Sequence, residues 1–140
     1  GTPVYPFGHG LSYTSFAYAP LKLAAAAGGA HEGLKVTTEL RNTGKRAGDE
    51  VAQLYLDFPD IKGLPRIALR GFQRVHLAPG ESRVLEFDLD PRDLSAVTAE
   101  GERQVMKGNY RVFVGSGQPG TGVAGREARF KVDQFRPIER

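Results

Sequence analysis

Leu34-Lys35-Val36-Thr37-Thr38-Glu39-Leu40-Arg41-Asn42-Thr43-Gly44 alternates apolar or β-branched side chains with polar ones and then turns. Period two puts Leu34, Val36, Thr38 and Leu40 on one face of an extended chain, whereas an amphipathic helix would repeat every 3.6 residues. The stretch is a half-buried strand ending at Asn42-Thr43-Gly44. The next stretch, Asp49 to Phe58, does the same. Ala52, Leu54, Leu56 and Phe58 share one face, Val51, Gln53, Tyr55 and Asp57 the other, until Pro59 ends pairing. Two such strands in succession point to an all-β fold.

Working downstream, Leu69 to Leu77 alternates Arg70, Phe72, Arg74 and His76 with Leu69, Gly71, Gln73, Val75 and Leu77. This is extended but weakly one-sided, which suits a place near a sheet edge. Ala78-Pro79-Gly80-Glu81 holds Pro and Gly at the central positions of a type II turn, and Arg83, Leu85, Phe87 and Leu89 then alternate with Ser82, Val84, Glu86 and Asp88, so a hairpin is expected. Asp90 followed by Pro91 predicts a single helical turn. Tyr110, Val112 and Val114 share a face in Asn109 to Gly115, and Glu127 to Phe135 supplies a closing strand with Phe130 and Val132 on one side. Between them lies a Gly-rich loop, Ser116 to Arg126, expected to be mobile. Upstream, Ser12 to Tyr18 and Leu21 to Ala24 read as short extended segments, followed by a small-residue loop over Ala25 to Ala30. Together these give about seven short strands with almost no helix, the signature of an immunoglobulin-like β-sandwich.

Composition agrees. The chain has 140 residues, 40% hydrophobic and 25% charged, with 18 Gly and 9 Pro, which suits one domain built of short elements and turns. The net charge of +3 is dispersed, and no basic run carries the interleaved aromatics that single-stranded nucleic acid would stack on. No nucleic-acid or membrane partner is expected, since no stretch approaches the roughly 20 apolar residues of a spanning helix. The absence of Cys excludes disulfides, thiolate metal sites and thiol nucleophiles but leaves the compartment open. The opening Gly1-Thr2-Pro3-Val4-Tyr5 has neither an initiator Met nor a leader pattern, so the chain is expected to be an excised piece.

Tyr5-Pro6-Phe7-Gly8-His9-Gly10-Leu11-Ser12-Tyr13-Thr14 resembles the stretch by which family 3 β-glucosidases and β-xylosidases pass from their catalytic part into a C-terminal fibronectin type III-like domain. Asn42-Thr43-Gly44 with Ala47 to Tyr55, Leu69 to Val75 with Leu77 to Ser82, and Gly108 to Ser116 resemble three further landmarks of that domain, in the same order. Leu64-Pro65-Arg66-Ile67-Ala68 departs from the pattern, since many members carry Arg-Pro and a Lys at this point. The resemblance implies a retaining glycoside hydrolase as parent, with its nucleophilic aspartate and acid/base glutamate upstream of Tyr5 to Thr14. Retaining chemistry needs two carboxyl groups roughly 5 to 5.5 Å apart across a sugar site. Those groups are not in this chain.

The residues themselves offer no rival site. Asp57 and Asp60 flank Phe58-Pro59 where turn-forming carboxylates are common, and Asp49-Glu50, Asp88, Asp90 and Asp93 form no acid/base pair by spacing. His9, His31 and His76 are isolated, and Ser116 lies in no nucleophile elbow. No catalytic residue, cofactor site or metal site is therefore assigned. Tyr55, Phe72, Phe87, Tyr110, Phe113 and Phe130 fall within strands and read as core or sheet-face residues rather than a sugar platform. Tyr5, Phe7, His9 and Tyr13 precede the sandwich. Their apolar surface is expected to dock on the catalytic domains of the same parent, with residues 1–14 as docking segment and 15–140 as sandwich. The expected function is a non-catalytic accessory domain that stabilises and positions those catalytic domains. The rival reading, suggested by the basic pI and the Gly-rich loop, is a module that anchors the enzyme to polysaccharide or the cell surface.

Overall fold

The computed structural model describes residues 14–61 and 66–138. Tyr5, Phe7, His9, Tyr13 and the Leu64-Pro65 departure lie outside the described residues. Eleven strands and one short helix follow in order: β1 (Phe16–Tyr18), β2 (Lys22–Ala26), β3 (Gly29–Asn42), β4 (Gly48–Asp57), β5 (Ile67–Leu77), β6 (Ser82–Leu89), α1 (Pro91–Leu94), β7 (Ala96–Val97), β8 (Arg103–Val105), β9 (Gly108–Gly115), β10 (Gly125–Val132) and β11 (Arg136–Pro137).

Two antiparallel sheets face each other. In the first, β3 pairs along one edge with β6 and shares its other edge between β1 and β2. In the second, the order is β10-β9-β4-β5. The inward residues are those that alternation picks out. Leu34, Val36, Leu40, Leu85, Phe87 and Leu89 from the first sheet, and Ala52, Leu54, Leu56, Val112 and Val114 from the second, are all buried. Each such aliphatic side chain contributes about 1.5–3 kcal/mol by leaving water. A third sheet of three very short strands has the order β11-β8-β7.

Three expectations are corrected. The small-residue segment over Ala25 to Ala30 is not a loop, because β2 runs to Ala26 and β3 starts at Gly29, leaving a tight turn at Ala27–Gly28. Exposed Ala is compatible with an edge strand whose partner supplies the pairing. The Pro79-Gly80 turn has the positive φ of +77° that a type II turn demands, yet it does not close a hairpin. β5 pairs with β4 and β6 pairs with β3, so the turn arches from one sheet to the other. Turn chemistry specifies the reversal of the chain, while inter-sheet burial decides which strand each arm joins. The closing strand is shorter than expected and stops at Val132.

The edge place of β5 is as expected. So is the helical turn at Pro91. Asp90 caps it, accepting from the Asp93 backbone N–H at 2.8 Å while the Asp93 carboxylate accepts from the Asp90 N–H at 3.1 Å. Arg70, at a β-bulge in β5, reaches across to the far end of this turn and donates to the carbonyls of Asp93 (2.8 Å) and Ser95 (3.1 Å), its guanidinium lying 5.4 Å from the centre of the Phe58 ring. Burial pulls the Arg70 pKa down, with Arg103 nearby adding to the effect.

Two polar side chains lock the strand ends. Tyr110, at the start of β9, sends its hydroxyl back to the Met106 carbonyl (2.7 Å) and receives the Met106 N–H (3.1 Å), which is the tyrosine corner of immunoglobulin-like sandwiches. Asn42, fully buried at the end of β3, ties that strand to the turn after it and to the end of β5.

Candidate functional surface

Of the carboxylates that sequence inspection singled out, Asp49, Asp57, Asp90 and Asp93 have a structural occupation. Asp49 accepts from His76 Nδ1 (2.6 Å) and Arg74 (3.3 Å), and these contacts, the His76 bond first, hold its carboxyl below the usual range. Asp57 accepts two hydrogen bonds from Arg111, which also lies 3.8 Å from Glu127. Asp90 and Asp93 cap α1, and burial raises the Asp93 carboxyl. Among the described residues, no group of three His, Cys, Asp or Glu side chains converges as a metal site would require. The Gly-rich loop expected over Ser116 to Arg126 is shorter, because Gly125 and Arg126 belong to β10, and the Ser116 N–H reaches the Ala124 carbonyl, closing 116–124 at its base.

Glu50 lies on the same side of β4 as buried Ala52. It accepts the Tyr18 hydroxyl at 2.9 Å, and burial raises its pKa despite that bond. Burial and the facing carboxylate raise Tyr18 in turn. A carboxyl with a raised folded-state pKa binds its proton more tightly folded than unfolded, so its stabilising contribution is complete below the unfolded pKa and is lost as pH rises through the folded one. Glu50→Gln keeps an acceptor for Tyr18 without the buried charge. It is expected to raise the melting temperature at pH 7 by about 2 °C and to leave it unchanged near pH 4. A calorimetric series from pH 4 to 7 checks this, and a loss of stability at pH 7 would refute it.

A shallow cleft of about 370 Å³ is lined in part by Ile61, Met106, Glu100 and Glu102. Among the described residues, no His, Lys or Arg lines it.

The outer faces of the two sheets differ in kind. On the β3–β6 side it carries Lys35, Glu39, Glu86 and Asp88, with Lys35 and Glu86 3.5 Å apart. On the β9–β4–β5 side, cross-strand register aligns Phe113, Tyr55 and Leu69 in one row and Gln53 with Phe72 in the next, beside Val51. Phe72 is 68% exposed, Leu69 48% and Val51 38%. Phe113 lies flat because glycines floor it: a Cβ on Gly125 would come within 2.2 Å of the ring and one on Gly115 within 2.6 Å. Tyr55 is held by its own hydroxyl, which donates to Gln53 Oε1 at 2.6 Å. The result is an exposed apolar patch on the outer face of the sheet, the kind of surface that marks contact with another surface.

Alternation already placed Val51 and Tyr55 opposite the Leu54 face. The cross-strand register that brings Leu69, Phe72 and Phe113 beside them carries no sequence signal.

Residues 50–118 match the fibronectin type III-like domain family. The chain is 40% identical over 131 residues to a probable β-glucosidase D of Aspergillus flavus, an alignment covering 81% of this chain and 17% of that protein. It is 37% identical over 117 residues to a β-xylosidase of Formosa agariphila, covering 82% and 16%. Among solved structures, β-glucosidase 3B of Thermotoga neapolitana in complex with α-D-glucose superposes with a TM-score of 0.81 at 34% identity, over 99% of this chain and 18% of that one. The chain thus spans about a sixth of the length of the curated relatives it matches.

Proposed function

Since this chain belongs to the fibronectin type III-like domains of family 3 glycoside hydrolases, we propose that it is a non-catalytic accessory domain which stabilises and positions the catalytic domains of its parent. The parent, on this reading, is a retaining β-glycosidase of the β-glucosidase or β-xylosidase type. The observation that carries the proposal is one of proportion: the chain aligns over most of its own length with about a sixth of enzymes several times longer. A crevice between domains works only if its two carboxyl groups keep their separation within fractions of an ångström, and a third domain packed on both restricts the hinge between them. Residues 1–14, with Tyr5, Phe7, His9 and Tyr13, form the docking segment, and the 116–124 connection is the next element able to reach the substrate rim.

The test is deletion of this domain from the parent. Melting temperature and turnover on a nitrophenyl glycoside are expected to fall together, and an unchanged pair would refute the proposal. Exposed Phe72 favours a second reading, attachment to polysaccharide. Affinity electrophoresis of the isolated chain in xylan, laminarin and a soluble cellulose derivative tests it, and unretarded migration in all three rejects it.

A further inference from the structure

We propose that the apolar outer face of the β10-β9-β4-β5 sheet, centred on Val51, Tyr55, Leu69, Phe72 and Phe113, is the seat of the parent polypeptide that precedes this chain. The inference rests on the accessory-domain reading and adds to it the face that docks.

Three observations select this occupant. The first is the chemistry of the patch. Pyranose recognition needs exposed ring faces flanked by unengaged hydrogen-bonding groups. Here the flanking polar side chains bond to one another: Tyr55 with Gln53, Asp57 with Arg111, and Asp49 with His76 and Arg74. What remains is aliphatic and aromatic surface mixed, which suits the apolar centre of a protein interface.

The second is where the chain leads away. Thr14 donates to Asn42 Oδ1 at 2.8 Å, and Asn42 Nδ2 donates to the Leu77 carbonyl at 3.0 Å, so Thr14, the first described residue, stands at the pole where β5 ends and β4 begins. At about 3.3 Å per strand residue, Phe72 lies five residues from that pole, or roughly 17 Å. Polypeptide leaving there has the patch within short reach.

The third is the edge. β5 is eleven residues long and has no strand beyond it among the described residues, and Phe72 and Leu69 stand on it. An edge strand this long that exposes apolar side chains, interrupted by a single bulge at Arg70, is an aggregation hazard when bare and calls for a cover.

Hydroxyl-radical footprinting of the full-length parent and of the isolated 140-residue chain tests the proposal. Phe72, Leu69 and Val51 are expected to oxidise about fivefold or more slowly in the parent, as residues of an interface centre do, while Val84, 62% exposed on the opposite sheet, reacts alike in both. Equal reactivity of Phe72 in the two proteins overturns the proposal. If Val84 becomes protected instead, this face is wrong while the docked domain stands, and if no residue of the domain is protected, both readings fail. Protection of Phe72 that appears only with added xylan or laminarin also overturns it by naming another occupant. In the parent, Phe72→Lys is expected to split a low-temperature transition from the main unfolding event, and Val84→Lys is not. A single unshifted transition for Phe72→Lys counts against the proposal.

Discussion

Asn42→Ala is expected to destabilise the isolated chain by about 3 kcal/mol. The side chain is wholly buried and makes four hydrogen bonds. Its Nδ2 donates to the carbonyls of Arg46 (2.7 Å) and Leu77 (3.0 Å), and its Oδ1 accepts from the Gly44 N–H (2.9 Å) and the Thr14 hydroxyl (2.8 Å). Truncation leaves all four partners without it. A buried group so stranded costs about 1–3 kcal/mol, but Arg46 and Gly44 lie close enough to solvent for water to replace part of the loss, so the total stays well below four full penalties. Asn42→Asp is expected to be worse, because a carboxylate then faces two carbonyl oxygens that it can only repel. Urea denaturation with an unchanged m-value is the measurement, and a loss below about 1 kcal/mol for Asn42→Ala would show that the junction is held by other contacts.

On the other sheet, Tyr110→Phe is expected to cost about 2 kcal/mol. The substitution removes only the hydroxyl. The ring keeps its stack on Phe130 (5.1 Å between centroids, 13° between planes) and its edge contact with Phe58 (6.0 Å, 63°), so packing is preserved and the loss reports the corner alone. Burial pushes the hydroxyl pKa up to about 12, outweighing the opposing effect of the Met106 N–H. With its folded pKa above the unfolded one, the contribution of Tyr110 is present through neutral pH and is lost only as pH climbs from about 10 toward 12. Wild type and Tyr110→Phe should therefore differ by a constant amount from pH 6 to 9. A difference that varies across that range would assign the effect to another group.

Both residues stand in stretches whose sequence is suggestive, Asn42-Thr43-Gly44 as a turn and Gly108 to Ser116 as a strand, but neither stretch announces a buried polar lock. The signal for Asn42 is a turn residue, and turn residues are normally solvated. Its burial follows from the arch of 78–81 folding over it, where the Gly80 N–H reaches the Asn42 carbonyl and the Asn42 N–H reaches Glu81. The aromatic patch divides in the same way. Val51 and Tyr55 are assigned to an outer face by alternation alone, whereas Phe72 and Phe113 join them through register, a bulge at Arg70 and two glycines that no local rule connects.

Alternation along the chain determined the class of fold, the inward faces of β3, β4, β6 and β9, the edge character of β5 and the capped turn at Pro91. Each follows from short-range physics: side chains two apart share a face, and a cap needs only the next three residues. Tertiary structure alone decided that β5 and β6 belong to different sheets, that Ala25 and Ala26 extend a strand, and that Phe72, Leu69, Tyr55 and Phe113 form one surface. These depend on which strands lie side by side. That choice is made by burying two inner faces against each other, an energy that belongs to pairs of segments distant in sequence and to neither segment by itself.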